Sequence, residues 1–222
     1  RRIDLKSLNN VRIKNERLLC FYNSIIYNGK VLSNDTYKDE SKVKYYDVNE
    51  LIAAKEGEAP AVTELDIIQK QKINFVLAKD GNVYTLESAD NGCNIVKIKN
   101  DFTLEKVFAN FQPAKGPYHS SPTIGMVASE TENIIYLVST DGAIYKYILG
   151  DSDSLKAPFI AAESGVSITA PLQLNQQSGE LYVTYTEELK DESKIVVYSK
   201  DGKVLHTVDC GESVPSQILF NN

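Results

Sequence analysis

The chain has 222 residues, 42% of them apolar, and a formal net charge of −6. That is enough hydrophobic material for one large all-β domain or two small ones. Its uncharged apolar runs are too short for a membrane-crossing helix, and acidity without a basic cluster argues against nucleic acid as a partner.

The predicted elements are short strands. "RIDLKS" and "VRIKNE" read as two outer strands ahead of the first full unit. That unit is "SIIYN", "KVLSND", "KVKYYD" and "LIAA"; the second is "INFVLAK", "NVYTLE", "NIVKIK" and "LEKVFAN". The third is "PTIGMVA", "IIYLVS", "AIYKYI" and "LKAPFIAA"; the fourth is "APLQLN", "ELYVTY", "KIVVYS" and "VLHTV". "PSQILFNN" then supplies one further innermost strand. These segments are rich in Val, Ile and Tyr and mostly alternate apolar with polar residues. "YNG", "KDG", "TDG" and "SGE" punctuate them as turns.

The units keep register. Leu32, Tyr84, Tyr136 and Tyr182 align at steps of 52, 52 and 46, and Val43, Ile95, Ile144 and Ile195 at steps of 52, 49 and 51. The pentapeptide KDESK, at 38–42 and again at 190–194, precedes the same strand in units one and four. By contrast Asp80, Asp141 and Asp201, each followed by Gly, fall in three different turns of the unit. Tandem four-stranded antiparallel units of about fifty residues predict an all-β fold, a β-propeller, because one such sheet cannot bury both faces alone. The blades fall at about 18–62, 63–111, 112–162 and 163–210, with a closing strand at 214–220. Four full blades plus a split or incomplete one make either a compact five-bladed ring or the C-terminal part of a larger propeller. The second is favoured, since the chain starts mid-pattern without Met.

The stretches "HSSPTIG" and "NIIYLVSTDGAIYKY" resemble the quinoprotein-type repeat of PQQ-like β-propellers, and "ITAPLQLNQQSGELYVTY" with "IVVYSKDGKVLHTV" is a weaker copy. The motif covers about half the chain; the first hundred residues follow it only through the period. The family's blade commonly ends G-K-x-x-W, whereas here Gly202 and Lys203 are followed by Val204, Leu205 and His206, and the chain has no Trp. Quinone-binding members stack their cofactor on Trp and hold calcium with acidic and amide ligands. The resemblance therefore implies a cofactor-free member, a binding or scaffold propeller of the bacterial periplasm or cell surface, with a signal or lipid anchor upstream.

Little in the residues speaks of catalysis. There is no G-x-S-x-G elbow, H-E-x-x-H pair or phosphate loop, and "DSDS" at 151–154 reads as a solvated turn because the later ligands of a calcium loop are missing. Cys20, Cys93 and Cys210 keep no metal spacing and leave at least one thiol unpaired; a Cys20–Cys210 disulfide stays open. Of the two histidines, His206 reads as an ordinary strand residue. His119 lies in the longest connector between blades. In a propeller, connectors and the turns between second and third strands emerge on one face. That face would gather Lys115, Tyr118, His119 and Ser120 with Asp39, Glu40, Asp191 and Glu192. Such a set suits a protein or glycan partner, with no metal or cofactor. The alternative is a carbohydrate-active hydrolase or lyase with its site at the channel mouth.

Overall fold

Tight turns fix where each strand begins. In a computed structural model, which describes residues 24–34, 41–54, 60–70, 74–114, 125–187, 192–215, 218 and 220, the strands form four antiparallel sheets in chain order. The first sheet is β1 (Ile25–Tyr27), β2 (Lys30–Ser33), β3 (Ser41–Asp47) and β4 (Val62–Gln69). The second is β5 (Val76–Leu77), β6 (Val83–Ala89), β7 (Gly92–Ile98) and β8 (Leu104–Phe111). The third holds β9 (Met126–Ala128), β10 (Ile134–Val138) and β11 (Ile144–Ile148). In the fourth, β12 (Val166–Ile168) and β13 (Gln173–Leu174) both pair with β14 (Leu181–Glu187), followed by β15 (Ser193–Tyr198) and β16 (Val204–Gly211).

The register read from sequence holds in the ladders. Leu32 faces Tyr45, Tyr84 faces Lys97, Tyr136 faces Lys146 and Tyr182 faces Val197. Each partner lies two residues past Val43, Ile95, Ile144 or Ile195, so both aligned sets occupy equivalent places. The Asp-Gly turns also separate as expected: Asp80 lies between β5 and β6, Asp141 between β10 and β11, and Asp201 between β15 and β16.

Strand alternation builds the core between consecutive sheets. In the second sheet Val83, Val96 and Ile98 join Leu32, Val43 and Ile67 of the first. Its other face, Tyr84, Leu86 and Ile95, packs on Ile135, Leu137 and Tyr147 of the third. The third sheet in turn sends Tyr136, Val138 and Ile144 against Leu181, Val183 and Val196 of the fourth. The inner strand β9 adjoins both β5 and β13. Amide side chains stitch those inner edges. Asn74 accepts from Met126 N at 3.2 Å and donates to its carbonyl at 2.8 Å. Gln176 likewise donates to Ala128 O and accepts from Glu130 N, at 3.0 and 2.8 Å. Each bond gives a backbone group of β9 or of the turn after it a partner from another sheet.

Three predicted strands are corrected. "LIAA" is not the fourth strand of the first unit but part of helix α1 (Val48–Ala53), and β4 takes that role. Asp47 starts the helix by accepting from Asn49 N and Glu50 N, and Val48 and Leu51, three apart, turn one face inward. "LKAPFIAA" gives a 3-10 turn at Ser152–Leu155 and a single bridge from Ile160 to Ile144 in place of a fourth strand. The Asp151 side chain caps that turn at Asp153 N, and Ser154 Oγ donates to Asp151 O, so "DSDS" is committed to its own backbone. "APLQLN" pairs only at Gln173 and Leu174, as β13, because Pro171 has no N–H to give a ladder; β12 ends before it at Ile168.

Candidate functional site

Connectors and second-to-third-strand turns do share a face. At the end of β4, Lys70 N donates to Ser88 Oγ near the tip of β6, at 2.8 Å. After β8, Gln112 Nε2 donates to Asn91 O in the β6–β7 turn, while Thr140 N of the β10–β11 turn donates to Gln112 O, at 2.8 and 2.9 Å. Gln112, just past β8, thus lies between the second-to-third-strand turns of the second and third sheets. Gly92 makes this possible: with φ at 110°, a Cβ there would meet Gln112 Nε2 at 2.4 Å and Phe111 O at 2.6 Å.

Of the residues expected to form the site, Asp39, Glu40, Lys115, Tyr118, His119, Ser120 and Asp191 lie outside the described residues. Glu192 is described: its side chain is exposed and its carbonyl accepts from Glu187 N at 2.9 Å, closing the β14–β15 turn. His206 sits exposed on β16 opposite Val197. Cys93 and Cys210 are free thiols, and Cys20 lies outside the described residues. Burial, with the nearby Glu87 carboxylate, pushes the Cys93 thiol up to about 11, which keeps it protonated and unreactive at neutral pH.

Other charged groups on this face were not anticipated. Lys194, the last residue of the second KDESK, pairs with Glu163 of the connector at 3.1 Å and lies 6.0 Å over the Tyr185 ring. Lys42, its counterpart in the first copy, pairs with Asp66 at 3.6 Å. The repeated phrase was visible, but a lysine's partner on a distant segment is not. Asp141 is held below the usual carboxylate range first by the Ser139 hydroxyl and then by Ala143 N–H. It is a turn-closing group. Among the described residues no three His, Cys, Asp or Glu side chains converge as a metal cluster.

The opposite face carries a recurrent acid and tyrosine that sequence reading missed. Tyr84 donates to Asp80 at 2.8 Å, and Lys97 pairs with the same carboxylate at 2.9 Å. Tyr182 donates to Glu180 at 3.2 Å, and Glu132, four residues before Tyr136, pairs with Lys200 of the fourth sheet. An acid two or four residues ahead of each second-strand Tyr was the available signal. These groups tie turns to sheets.

A family model described as a domain of unknown function, DUF5074, matches residues 30–221. The chain belongs to the DUF5074 family. A comparison with curated proteins finds no match. Among solved structures, this DUF5074 chain is similar to prolyl oligopeptidase B from Galerina marginata, at 12% identity and a TM-score of 0.53 over 84% of this chain and 27% of that one. It is also similar to puromycin hydrolase, at 13% identity and a TM-score of 0.53 over 85% of this chain and 28% of that one. The chain thus spans little more than a quarter of either protein. At these identities the likeness is one of fold alone, and the oligopeptidase is β-propeller-like. The DUF5074 chain is an all-β, propeller-like protein.

Proposed function

We propose that this chain is a non-catalytic binding module of the cell envelope, a β-propeller of the PQQ-like repeat type that holds a protein or glycan partner by the loops of one face. The supporting observation is a contrast within the repeat. Four sheets keep one register at Leu32, Tyr84, Tyr136 and Tyr182, while the segments between second and third strands run to seven, two, five and five residues. A scaffold repeated faithfully with unequal loops is how rigid strands present recognition residues. Extracytoplasmic location and a lipid anchor upstream belong to the same proposal, through the resemblance of the third and fourth units. Hydrolysis, named for the two enzymes of similar fold, is not carried over, because the likeness covers about a quarter of each.

The test pairs two loop variants, Tyr118→Ala with His119→Ala and Asp191→Asn with Glu192→Gln, against arrays of defined oligosaccharides and envelope proteins. Binding is expected to fall about tenfold or more, with stability within about half a kcal/mol of the parent. Unchanged binding in both variants removes this face as the site. Turnover of an arrayed oligosaccharide that either variant abolishes replaces the module with the hydrolase or lyase.

A further inference from the structure

β16 is the outer strand of the fourth sheet, and among the described residues no strand pairs with it on the side away from β15. It shares that position with β4 and β8 but not their charges. Glu64 and Asp66 on β4 pair with Lys44 and Lys42 of β3, at 3.5 and 3.6 Å. Glu105 and Lys106 on β8 pair with Lys99 and Glu87 of the same unit, at 2.9 and 3.6 Å. By contrast, Val204–Val208 holds no Asp, Glu, Lys or Arg. Every residue from Val204 to Asp209 is exposed, with Val204 at 58%, Leu205 at 42% and Val208 at 51%. Charged side chains are what commonly keep an edge strand from pairing, and an exposed apolar edge without them is a template for another strand.

The two ends of the strand show which partner it fits. Lys203 leads into β16 and Asp209 lies near its end. Unlike the charges of β4 and β8, neither has an ion-pair partner among the described residues; the Asp209 carboxylate accepts only from Gly211 N, at 2.9 Å. A second β16 running antiparallel to the first brings the Lys203 end of each chain to the Asp209 end of the other. Running parallel, it would set Lys203 beside Lys203 and Asp209 beside Asp209. Opposite charges facing across a strand pair stabilise it and like charges destabilise it, so the charge pattern selects the antiparallel arrangement. A two-fold axis generates that arrangement and closes it at two copies.

We propose that β16 pairs edge to edge and antiparallel with β16 of a second copy, forming a two-fold dimer. The pairing uses the edge of an outer strand and none of the loops assigned to partner binding, so the loop variants above leave it intact. Sedimentation equilibrium of the full chain tests it. One strand pair makes a small interface, so dissociation constants of about 1–100 μM are expected. Val208→Lys and, independently, Leu205→Lys should weaken the dimer about tenfold or more, while the dilute monomers melt like the parent. Lys203→Glu alone and Asp209→Lys alone should each weaken it by setting like charges together. Their combination exchanges the two ends and should bring the dissociation constant back to within about threefold of the parent's. A parent chain that stays monomeric throughout that range overturns the proposal, as does a dimer that both lysine substitutions at 205 and 208 leave intact. A dimer that the combined charge exchange fails to restore overturns the antiparallel pairing.

Discussion

Phe102 and Gly202 occupy the same position of the same turn, one sheet pair apart. In the second sheet Phe102 N donates to Lys99 O and Lys99 N to Thr103 O; in the fourth, Gly202 N donates to Ser199 O and Ser199 N to Lys203 O. Both residues have left-handed φ, 64° and 76°. Glycine takes that conformation freely, whereas a side chain there costs about 1–2 kcal/mol. What offsets the cost at Phe102 is its ring, 4.5 Å from that of Tyr45 and 5.8 Å from that of Tyr27 in the first sheet. At the third-to-fourth junction the ring comes from Phe159 instead, and a Cβ on Gly202 would meet it at 3.3 Å. Phe102→Gly is therefore expected to destabilise by about 1–2 kcal/mol, packing loss outweighing relief of strain. Gly202→Ala should destabilise by a similar amount for the opposite reason. Urea unfolding of both variants reads this; a Phe102→Gly chain more stable than the parent would show that the ring packing is worth less than the strain.

A second test lies in the buried amides that join the first two sheets. Gln69 donates to Leu86 O at 3.0 Å and to Thr85 Oγ1 at 2.9 Å, and accepts from Asn34 Nδ2 at 2.6 Å. Because Leu86 O only accepts, Gln69 must turn its NH₂ toward it, and Asn34 must then present its own NH₂ to Gln69 Oε1. Asn34 Oδ1 is left buried without a partner. Gln69→Leu strips bonds from three buried groups and should cost about 2–4 kcal/mol. Asn34→Leu removes the orphaned acceptor along with one bond, so its cost should be clearly smaller. Equal losses in denaturant would mean that the acceptor already has a partner, such as a bound water.

How far the sequence disclosed all this depended on whether the signal was local. Apolar alternation with a fixed step located Tyr84, Tyr136, Tyr182 and the third-strand aliphatics, because pairing two adjacent strands needs only a turn and a period. Outer strands were less legible. β4 faces solvent over part of its length, so its pattern is weak, and "LIAA" competed successfully as an apolar run, whereas "VLHTV" marked β16 despite that strand's exposure. The amides Asn74, Gln69 and Gln176 carried no pattern, since each answers a backbone group in another sheet. Of the expected site, the described residues show only where the chain leaves β8, at Gln112 beside Asn91 and Thr140, and the side chains proposed to bind lie mostly outside the described residues.

Stability should fall at both ends of the pH scale, for different groups. Burial raises the Asp80 carboxyl, but bonds from Lys97, Asn82 and Tyr84 outweigh it and hold the group below its ordinary 3.8. A depressed folded value means stability that is present above 3.8 and lost as pH falls below it. Burial, aided by Glu132, pushes the Tyr136 phenol up to about 12 from its ordinary 10.0. A raised folded value acts in reverse: the contribution is whole below pH 10 and disappears between 10 and about 12. Asp80→Asn should flatten the acid limb of a stability-against-pH curve and, because Asp80 also raises the Tyr84 phenol, part of the alkaline limb, whereas Tyr136→Phe should flatten the alkaline limb and leave the acid limb in place. Parallel curves for parent and variants would remove these groups as the source.

The last prediction concerns α1, where a strand was expected. A strand would turn alternate residues to one face, putting Val48 with Glu50 and Ile52, and Leu51 with Asn49 and Ala53. The helix instead joins Val48 to Leu51, and both are buried with Val31 and Tyr46, leaving Ile52 half exposed at 50%. Leu51 is 1% exposed, so Leu51→Ala removes a full set of contacts and should cost about 2–4 kcal/mol. Ile52→Lys should be nearly neutral, since lysine suits a helix better than a β-branched residue and leaves the packed face alone. Val48→Ala should destabilise like Leu51→Ala, though less, because a smaller side chain is cut back. Thermal or urea unfolding distinguishes the two geometries: a helix makes 48 and 51 sensitive and 52 tolerant, whereas a strand would make 48 and 52 respond together.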